Sequence, residues 1–229
     1  MARRPVVALD GPAGAGKSTV ARRLADALDF VLLDTGAIYR SVSLATMRAD
    51  VPWTDEAAVS RVAARIATPG VLELSSGAEG TRVTLDGEDI SIAIRTPENS
   101  RGASTVSAIP GVRAALLSLQ RAYAERGGVV MEGRDIGTVV APDAEAKFFV
   151  TASPEVRARR RFDELRARGT DVSFEATLAE VIARDEADEG RAVAPLKPAA
   201  DAQIVDTSTL GIDDVVAHLV ARVRALQTR

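Results

Sequence analysis

The sequence predicts an α/β fold in which a five-stranded parallel sheet carries helices on both faces. Three observations predict it. Short, continuous apolar runs, the pattern of buried parallel strands, occur at residues 5–9, 30–33, 129–131, 147–150 and 203–205. Helical patterns separate most of these runs. Several runs end in a polar cluster: Asp10-Gly11, Asp34-Thr35-Gly36, Glu132-Gly133-Arg134-Asp135 and Asp206-Thr207-Ser208. Sites in such sheets form beyond the carboxyl ends of the strands, so these clusters are expected to converge.

The first strand runs into Gly11-Pro12-Ala13-Gly14-Ala15-Gly16-Lys17-Ser18-Thr19, which is Gly, four residues, then Gly-Lys-Ser. A strand before it and a helical pattern after it make this a phosphate-binding loop. Gly11, Gly14 and Gly16 let the backbone curl so that successive N–H groups point at phosphate oxygens. The following helix adds its positive end. Lys17 supplies a mobile charge for the outer phosphates, and the Ser18 hydroxyl suits a magnesium ion. Nucleoside triphosphate binding is expected.

With 229 residues the chain can bury an ample core as one large domain or two small ones. Apolar residues make up 46% and charged ones 27%, which excludes a disordered or fibrous chain. No apolar run reaches the length of a membrane span. The run after Met1-Ala2-Arg3-Arg4-Pro5 is too short for a secretory signal. Cysteine is absent, so disulfide and thiolate chemistry are excluded and a cytoplasmic enzyme is expected. The net charge of −3 argues against broad nucleic-acid binding. Only Lys17, Lys147 and Lys197 are lysine, so 26 of 29 basic residues are arginine. GC-rich coding explains such a bias, and so does bidentate recognition of phosphate and carboxylate.

Between residues 61 and 107 the texture changes. Residues 71–74 and 81–85 alternate about a turn at Ser75-Ser76-Gly77-Ala78-Glu79-Gly80, and Asp86-Gly87 marks a second turn before residues 89–92. A small antiparallel β-insert is expected. Ser153 and Pro154 open a helix as capping hydroxyl and first-turn proline. A further helix is expected over Phe174–Glu189. The last helix carries Ile212, Val215, Val216, Leu219, Val220, Val223 and Leu226 at helical spacing, a packing stripe. The sole histidine, His218, lies off that stripe and reads as a surface residue.

One histidine and no cysteine restrict the chemistry. Phosphoryl transfer to an acceptor that is already an anion needs no strong base. It needs two negative groups brought together, hence several positive clamps and a magnesium ion. Arg157, Arg160 and Arg161 fall on one side of a helix, at i, i+3 and i+4. They read either as a solvated face pairing with Asp163 and Glu164, or as a lid that closes over a triphosphate and excludes water. Arg184, Asp188 and Arg191, at i, i+4 and i+7, form a second one-sided row; weak surface ion pairs with Asp185, Glu186 and Glu189 are the plainer alternative. The loop Ala192-Val193-Ala194-Pro195-Leu196-Lys197-Pro198 suggests a wall for a flat base. Thr35 is placed to cap the helix after the second strand, with Arg40 one turn inside. Glu132 is placed for magnesium or its waters. Arg134 and Asp135 set donors for phosphate beside an acceptor for a base amine.

Four segments then carry a family resemblance. Gly11 to Thr19, Leu33-Asp34-Thr35-Gly36-Ala37-Ile38-Tyr39-Arg40, Gly133-Arg134-Asp135-Ile136-Gly137-Thr138-Val139-Val140 and Arg191-Ala192-Val193-Ala194-Pro195-Leu196 together closely resemble the bacterial cytidylate kinases. The resemblance covers nearly the whole chain, β-insert included. Many kinases share the phosphate loop; the third and fourth segments are far more specific.

The resemblance implies a P-loop kinase fold with a small antiparallel nucleotide-binding insert and a helical lid. It implies magnesium-assisted, in-line transfer of the terminal phosphate of ATP to CMP or dCMP without a protein general base, in pyrimidine nucleotide metabolism. By resemblance, Gly11, Pro12, Ala13, Gly14, Ala15, Gly16, Lys17, Ser18 and Thr19 hold ATP, with Ser18 on the metal. Lys17, Arg134, Arg157, Arg161 and Arg191 act in catalysis. Arg40, Arg134 and Arg191 look like clamps for the acceptor phosphate, Arg113 and Asp135 like readers of the cytosine edge with Ser104 nearby, and Arg184 and Asp188 like sugar contacts. Thr35 stands in the acceptor site where the family often has serine; Glu132 stands where aspartate is also found. The implied organisation is a single kinase domain over residues 1–229, with a core of 1–60 and 108–229, a monophosphate-binding insert at 61–107 and a lid at 153–170. A monomer without nucleic-acid or membrane partners is expected.

Two rivals stay open at this point. A small-metabolite kinase, for shikimate or dephospho-coenzyme A, shares the first loop but has no need of the β-insert or the second arginine row. A P-loop regulatory or nucleic-acid-remodelling protein predicts a basic surface, against which the acidic balance speaks.

Overall fold

The computed structural model describes residues 3–77, 80–167 and 169–227. Strand β1 (Val6–Asp10) is buried along its whole length and leads through the glycine loop into α1 (Lys17–Leu28). Strand β2 (Val31–Asp34) and helix α2 (Thr35–Arg48) form the next unit, followed by α3 (Glu56–Ile66). A small sheet follows, made of β3 (Leu72–Gly77), β4 (Gly80–Leu85) and β5 (Glu88–Asp89). A short 3-10 turn, Ala93–Arg95, precedes α4 (Pro97–Ser107) and α5 (Pro110–Arg126). Strand β6 (Val129–Gly133) enters a π-helical turn, Ile136–Val140. Strand β7 (Ala146–Thr151), helices α6 (Pro154–Ala167) and α7 (Phe174–Glu189), strand β8 (Gln203–Asp206) and helix α8 (Ile212–Gln227) complete the chain.

The main sheet has the order β2-β6-β1-β7-β8, and each neighbouring pair is parallel. The expected five-stranded parallel sheet is therefore present. Alternate residues of β1 face opposite sides, as the period of a strand requires. Val7 and Leu9 join Phe148 and Val150 under α1 and α8, where Leu24, Leu28, Val215, Leu219 and Val223 are buried. Val6 and Ala8 join Leu33 and Met131 under α2, α3 and α5. The packing stripe of α8 lies on the first of these cores from Ile212 to Val223, while Leu226, expected in it, is exposed near the helix end; His218 is exposed beside Gln203.

The small sheet is antiparallel with order β3-β4-β5. Asp86 and Gly87, at φ 51 and 81, make the two-residue turn between Leu85 and Glu88. The strand expected at 89–92 is shorter, because the Ile94 amide donates to the Ile90 carbonyl and turns the chain. The other expected turn is narrower: β3 reaches Gly77 and β4 starts at Gly80, with Ala78 and Glu79 outside the described residues. The insert boundary expected at residue 61 falls inside α3. Leu72, Val83, Leu85 and Ile90 of this segment share one core with α2 and α5.

Local chemistry sets the helix starts. Ser173 Oγ accepts the Ala176 amide at 3.1 Å to cap α7, and Ser153 Oγ accepts that of Val156 at 3.3 Å at the start of α6. At α2 the cap is Asp34, which accepts the Ala37 amide at 3.0 Å, and not Thr35. Thr35 is already in the helix, and its hydroxyl donates to the Glu132 carbonyl at 2.7 Å, stitching α2 to β6.

Helices α2 and α4 meet at Gly102, where an added Cβ would overlap the Ser43 hydroxyl and the Trp53 indole. The indole is itself pinned, donating Nε1–H to the Ser43 carbonyl at 3.1 Å. Alanine adds about 1 kcal/mol of helix propensity over glycine, against an overpacking cost of about 1–3 kcal/mol. Gly102→Ala is expected to destabilise, because relieving the overlap means shifting a ring held by that hydrogen bond. A urea midpoint at or above the wild-type value would contradict this.

Candidate active site

The polar clusters do converge. A cavity of about 630 Å³ opens beyond the carboxyl ends of β1, β2 and β6 and is closed by α4, α6 and α7. Of the residues expected in the site, Ala13, Gly14, Lys17, Ser18, Thr19, Thr35, Arg40, Ser104, Arg113, Arg134, Asp135, Arg161, Arg184, Asp188 and Arg191 line it. Gly11, Pro12, Ala15 and Gly16 form the loop without lining the cavity, and Arg157 does not line it either.

In the glycine loop, Gly11 has φ 146, and a Cβ there would run into the Val150 carbonyl. Gly16, at φ 87, turns the chain into α1. Lys17 is buried, and its ammonium donates to the Pro12 carbonyl at 2.6 Å. Burial, then the Arg134 charge, pulls the Lys17 pKa well below the usual lysine range. Ser18 Oγ donates to Glu132 Oε1 at 2.7 Å. Burial, then the neighbouring Asp34, pushes the Glu132 carboxyl up. Among the described residues no group of three or more His, Asp or Glu side chains is arranged to hold a metal ion by itself.

Away from the loop the cavity is lined by a set of arginines braced by carboxylates. Arg40 donates to Asp34 Oδ2 at 2.7 Å. Arg113 pairs with Asp135, both almost fully buried, and also donates to the Ser107 carbonyl at 3.1 Å. Asp188, 1% exposed, accepts from Arg134 Nε at 2.9 Å and from Arg191. Burial pushes the Asp188 carboxyl up, but Arg134 and Arg191 outweigh it and hold it below the ordinary range. Arg184 donates no hydrogen bond among the described residues, and its Nε and that of Arg40 are buried without a partner. Burial, then the Arg134 charge, lowers Arg184 to about 10. An anion in this cavity would offset both causes, because an opposite charge nearby favours the charged form.

Three expectations need correction. The row Arg157, Arg160, Arg161 does not act as one face: only Arg161 reaches the cavity, paired there with Glu164 at 3.1 Å. Arg157, 3% exposed, is drawn away by Asp185 of α7 and by the Ala13 and Ala152 carbonyls. Arg160 is held by Thr207. Arg191 lies just past the end of α7 and reaches the cavity through its pairing with Asp188. No residue of 192–198 lines the cavity, because the Leu196 amide donates to the Asp188 carbonyl and folds the loop beneath α7.

The structure also adds residues. Tyr39, Thr81, Arg95 and Ser100 line the cavity. Tyr39 stands within the segment that carries the family resemblance, although nothing in its spacing marks it. Arg95 sits in a 3-10 turn too short to show a periodicity and donates to the Thr81 carbonyl at 3.2 Å.

A glycine loop between β1 and α1, a parallel sheet and a cationic cleft at its carboxyl edge define a P-loop kinase. A family model for cytidylate kinase matches residues 7–225. The chain belongs to the cytidylate kinase family. A cytidylate kinase of Pelotomaculum thermopropionicum is 53% identical over 96% of each chain. Those of Shewanella loihica and Syntrophotalea carbinolica are 47% and 50% identical, over 97% and 96% of this chain and 95% and 92% of theirs. A solved structure of an uncharacterized protein from Eubacterium ventriosum has a TM-score of 0.52 over 97% of this chain and 99% of that one, at 10% identity, a likeness of fold alone.

The buried Lys17 yields a proton-linked expectation. Burial pulls its pKa down to about 7, so at about pH 8 the unprotonated form is in excess until an anion arrives. Triphosphate binding restores the charge and therefore takes up a proton at about pH 8. Calorimetry in two buffers of different ionisation enthalpy reads that uptake, which Lys17→Met is expected to abolish. Equal heats in both buffers for the wild type would contradict it.

Proposed function

We propose that the protein transfers the terminal phosphate of ATP to CMP or dCMP, giving CDP or dCDP and ADP, in pyrimidine nucleotide metabolism. The observation that carries this reading is the unspent charge of the acceptor cavity. Arg40 and Arg184 each hold a buried Nε without a partner, beside Arg134 and Arg191. Such a cavity suits an acceptor that brings its own negative charge. The Arg113–Asp135 pair in the same cavity supplies a donor and an acceptor for the edge of a base.

In this reading the loop from Gly11 to Thr19 holds ATP, and Lys17 leaves the Pro12 carbonyl for the outer phosphates. Arg40, Arg134, Arg184 and Arg191 bring the acceptor phosphate in line. An acceptor oxygen forms the new bond to the terminal phosphorus as the bond to the bridging oxygen breaks, and ADP leaves. The acceptor oxygen is already anionic, so no protein base is required. Ser18 and Glu132 are hard oxygen donors, 2.7 Å apart, that would hold a magnesium ion arriving with the nucleotide. Bound there, the ion offsets charge on the phosphates. Asp188 holds the clamps in place. Residues 61–107 close over the monophosphate, and residues 153–170 form the lid, with Arg161 its cation toward the phosphates. The enzyme works as a monomer. Among the described residues no helix is long and apolar enough to cross a membrane.

A coupled ADP-release assay over CMP, dCMP, UMP, AMP and shikimate tests the substrate, and CMP or dCMP is expected to lead. Preference for shikimate would overturn the reading. Asp135→Ala leaves Arg113 buried and unpaired and is expected to cost about 2–5 kcal/mol of acceptor binding, with the KM for ATP nearly unchanged. Equal losses for both nucleotides would remove Asp135 from the acceptor site.

A further inference from the structure

Asp10 is the last residue of β1 and is 4% exposed, yet it lines neither the large cavity nor the smaller crevice beside Pro12 and Arg157. Its two oxygens are both spent on one object. Oδ1 accepts the Ile136 amide at 2.8 Å and Oδ2 accepts the Gly137 amide at 2.7 Å. These amides open the π-helical turn that follows Arg134 and Asp135. The turn is packed against the carboxylate: a Cβ at Gly137 would lie 3.4 Å from Asp10 Oδ2 and 3.3 Å from Lys147 Cδ.

The residue that would ordinarily cap this turn is Asp135, which stands directly before it. An aspartate in that position normally swings its carboxylate onto the first free amides. Asp135 makes no such bond, and its carboxylate is engaged with Arg113 in the cavity. The cap is supplied instead from the neighbouring strand. Burial pushes the Asp10 carboxyl up to about 6, and the two amides work against that shift and favour its charged form.

We propose that Asp10 is a positioning residue for the acceptor site: it caps the Ile136–Val140 turn from β1 and so leaves the Asp135 carboxylate to face Arg113 and the base. Gly11 follows Asp10 directly, so the same carboxylate fixes the acceptor-reading turn to the donor loop. Without it, Asp135 is drawn back to cap its own turn, and Arg113 loses its partner. The assignment rests on the reading of Asp135 as an acceptor contact.

Asp10→Asn tests it. The amide keeps the size of the side chain but turns an NH2 group toward one of the backbone donors. With the monophosphate preferred in the ADP-release panel, the acceptor KM is expected to rise about tenfold or more, and the KM for ATP to stay within about threefold. A merely structural Asp10 would move both together. KM values that rise in parallel, or that do not move, overturn the proposal. Amide exchange in the wild type reads the same link without a variant. Saturating CMP alone is expected to slow exchange at Ile136 and Gly137, and unchanged rates overturn the proposal. A panel won by shikimate fails the acceptor reading and Asp10 with it; a panel won by a nucleotide with unsplit KM values fails Asp10 alone.

Discussion

Asp188 has 1% of its surface exposed and holds two guanidinium groups at once. The rest of the site depends on arrangements of this kind. Arg40, Arg113, Arg134, Arg184, Arg191 and Lys17 share one cavity. Two like charges about 4 Å apart repel by about 4 kcal/mol at the screening typical near a protein surface. A bare cluster of cations would splay apart or give up its charge. Carboxylates at the base of the cavity prevent this: Asp34 braces Arg40, Asp135 braces Arg113, and Asp188 braces Arg134 and Arg191. The bracing is incomplete at Arg184 and at Arg40 Nε, which is where a bound anion gains most.

The topology decides which carboxylates can serve. Strand β1 lies between β6 and β7, so the residue ending it stands beside the ends of both neighbours. Asp10 reaches the turn after β6 for that reason, and Ser18, the second residue of the helix after β1, reaches Glu132. The two halves of the cleft are joined through these bonds at the sheet edge. The same bonds place the turn that follows Arg134 and Asp135 beside the start of the phosphate loop.

The sheet was legible in the sequence because buried parallel strands leave a local mark, an apolar run ending in a polar cluster. The phosphate loop was legible because its glycines, Lys17 and Ser18 follow one another in the chain. The direction of a long side chain leaves no local mark. Arg157 and Arg161 are one helical turn apart, yet Asp185, 28 residues away, draws Arg157 from the cavity while Arg161 enters it. Asp34 and Thr35 both have the chemistry of a cap, and only the backbone shows which residue precedes the helix. The small antiparallel sheet shows a related effect. Its apolar residues share a core with α2 and α5, so composition changes with no accompanying break in packing.

Arg157 is accounted for by the backbone of the phosphate loop. A loop curled so that its amides face an anion turns carbonyls the other way, and buried carbonyls need donors. Pro12 has Lys17, Ala13 has Arg157, Ala15 has Thr207, and Gly16 has the amide of Val20 in α1. Thr207 in turn holds Arg160. Two of the three arginines on the first helical row thus serve the carbonyl side of the loop, directly or through Thr207. The third, Arg161, faces the cavity on the phosphate side. One of the four carbonyl donors differs from the rest: Lys17 is the donor whose ammonium a phosphate can claim, and its departure leaves the Pro12 carbonyl to be satisfied anew. Three of the loop's carbonyls are thus held by a guanidinium, a hydroxyl and a backbone amide, and the fourth by the end of a flexible lysine side chain.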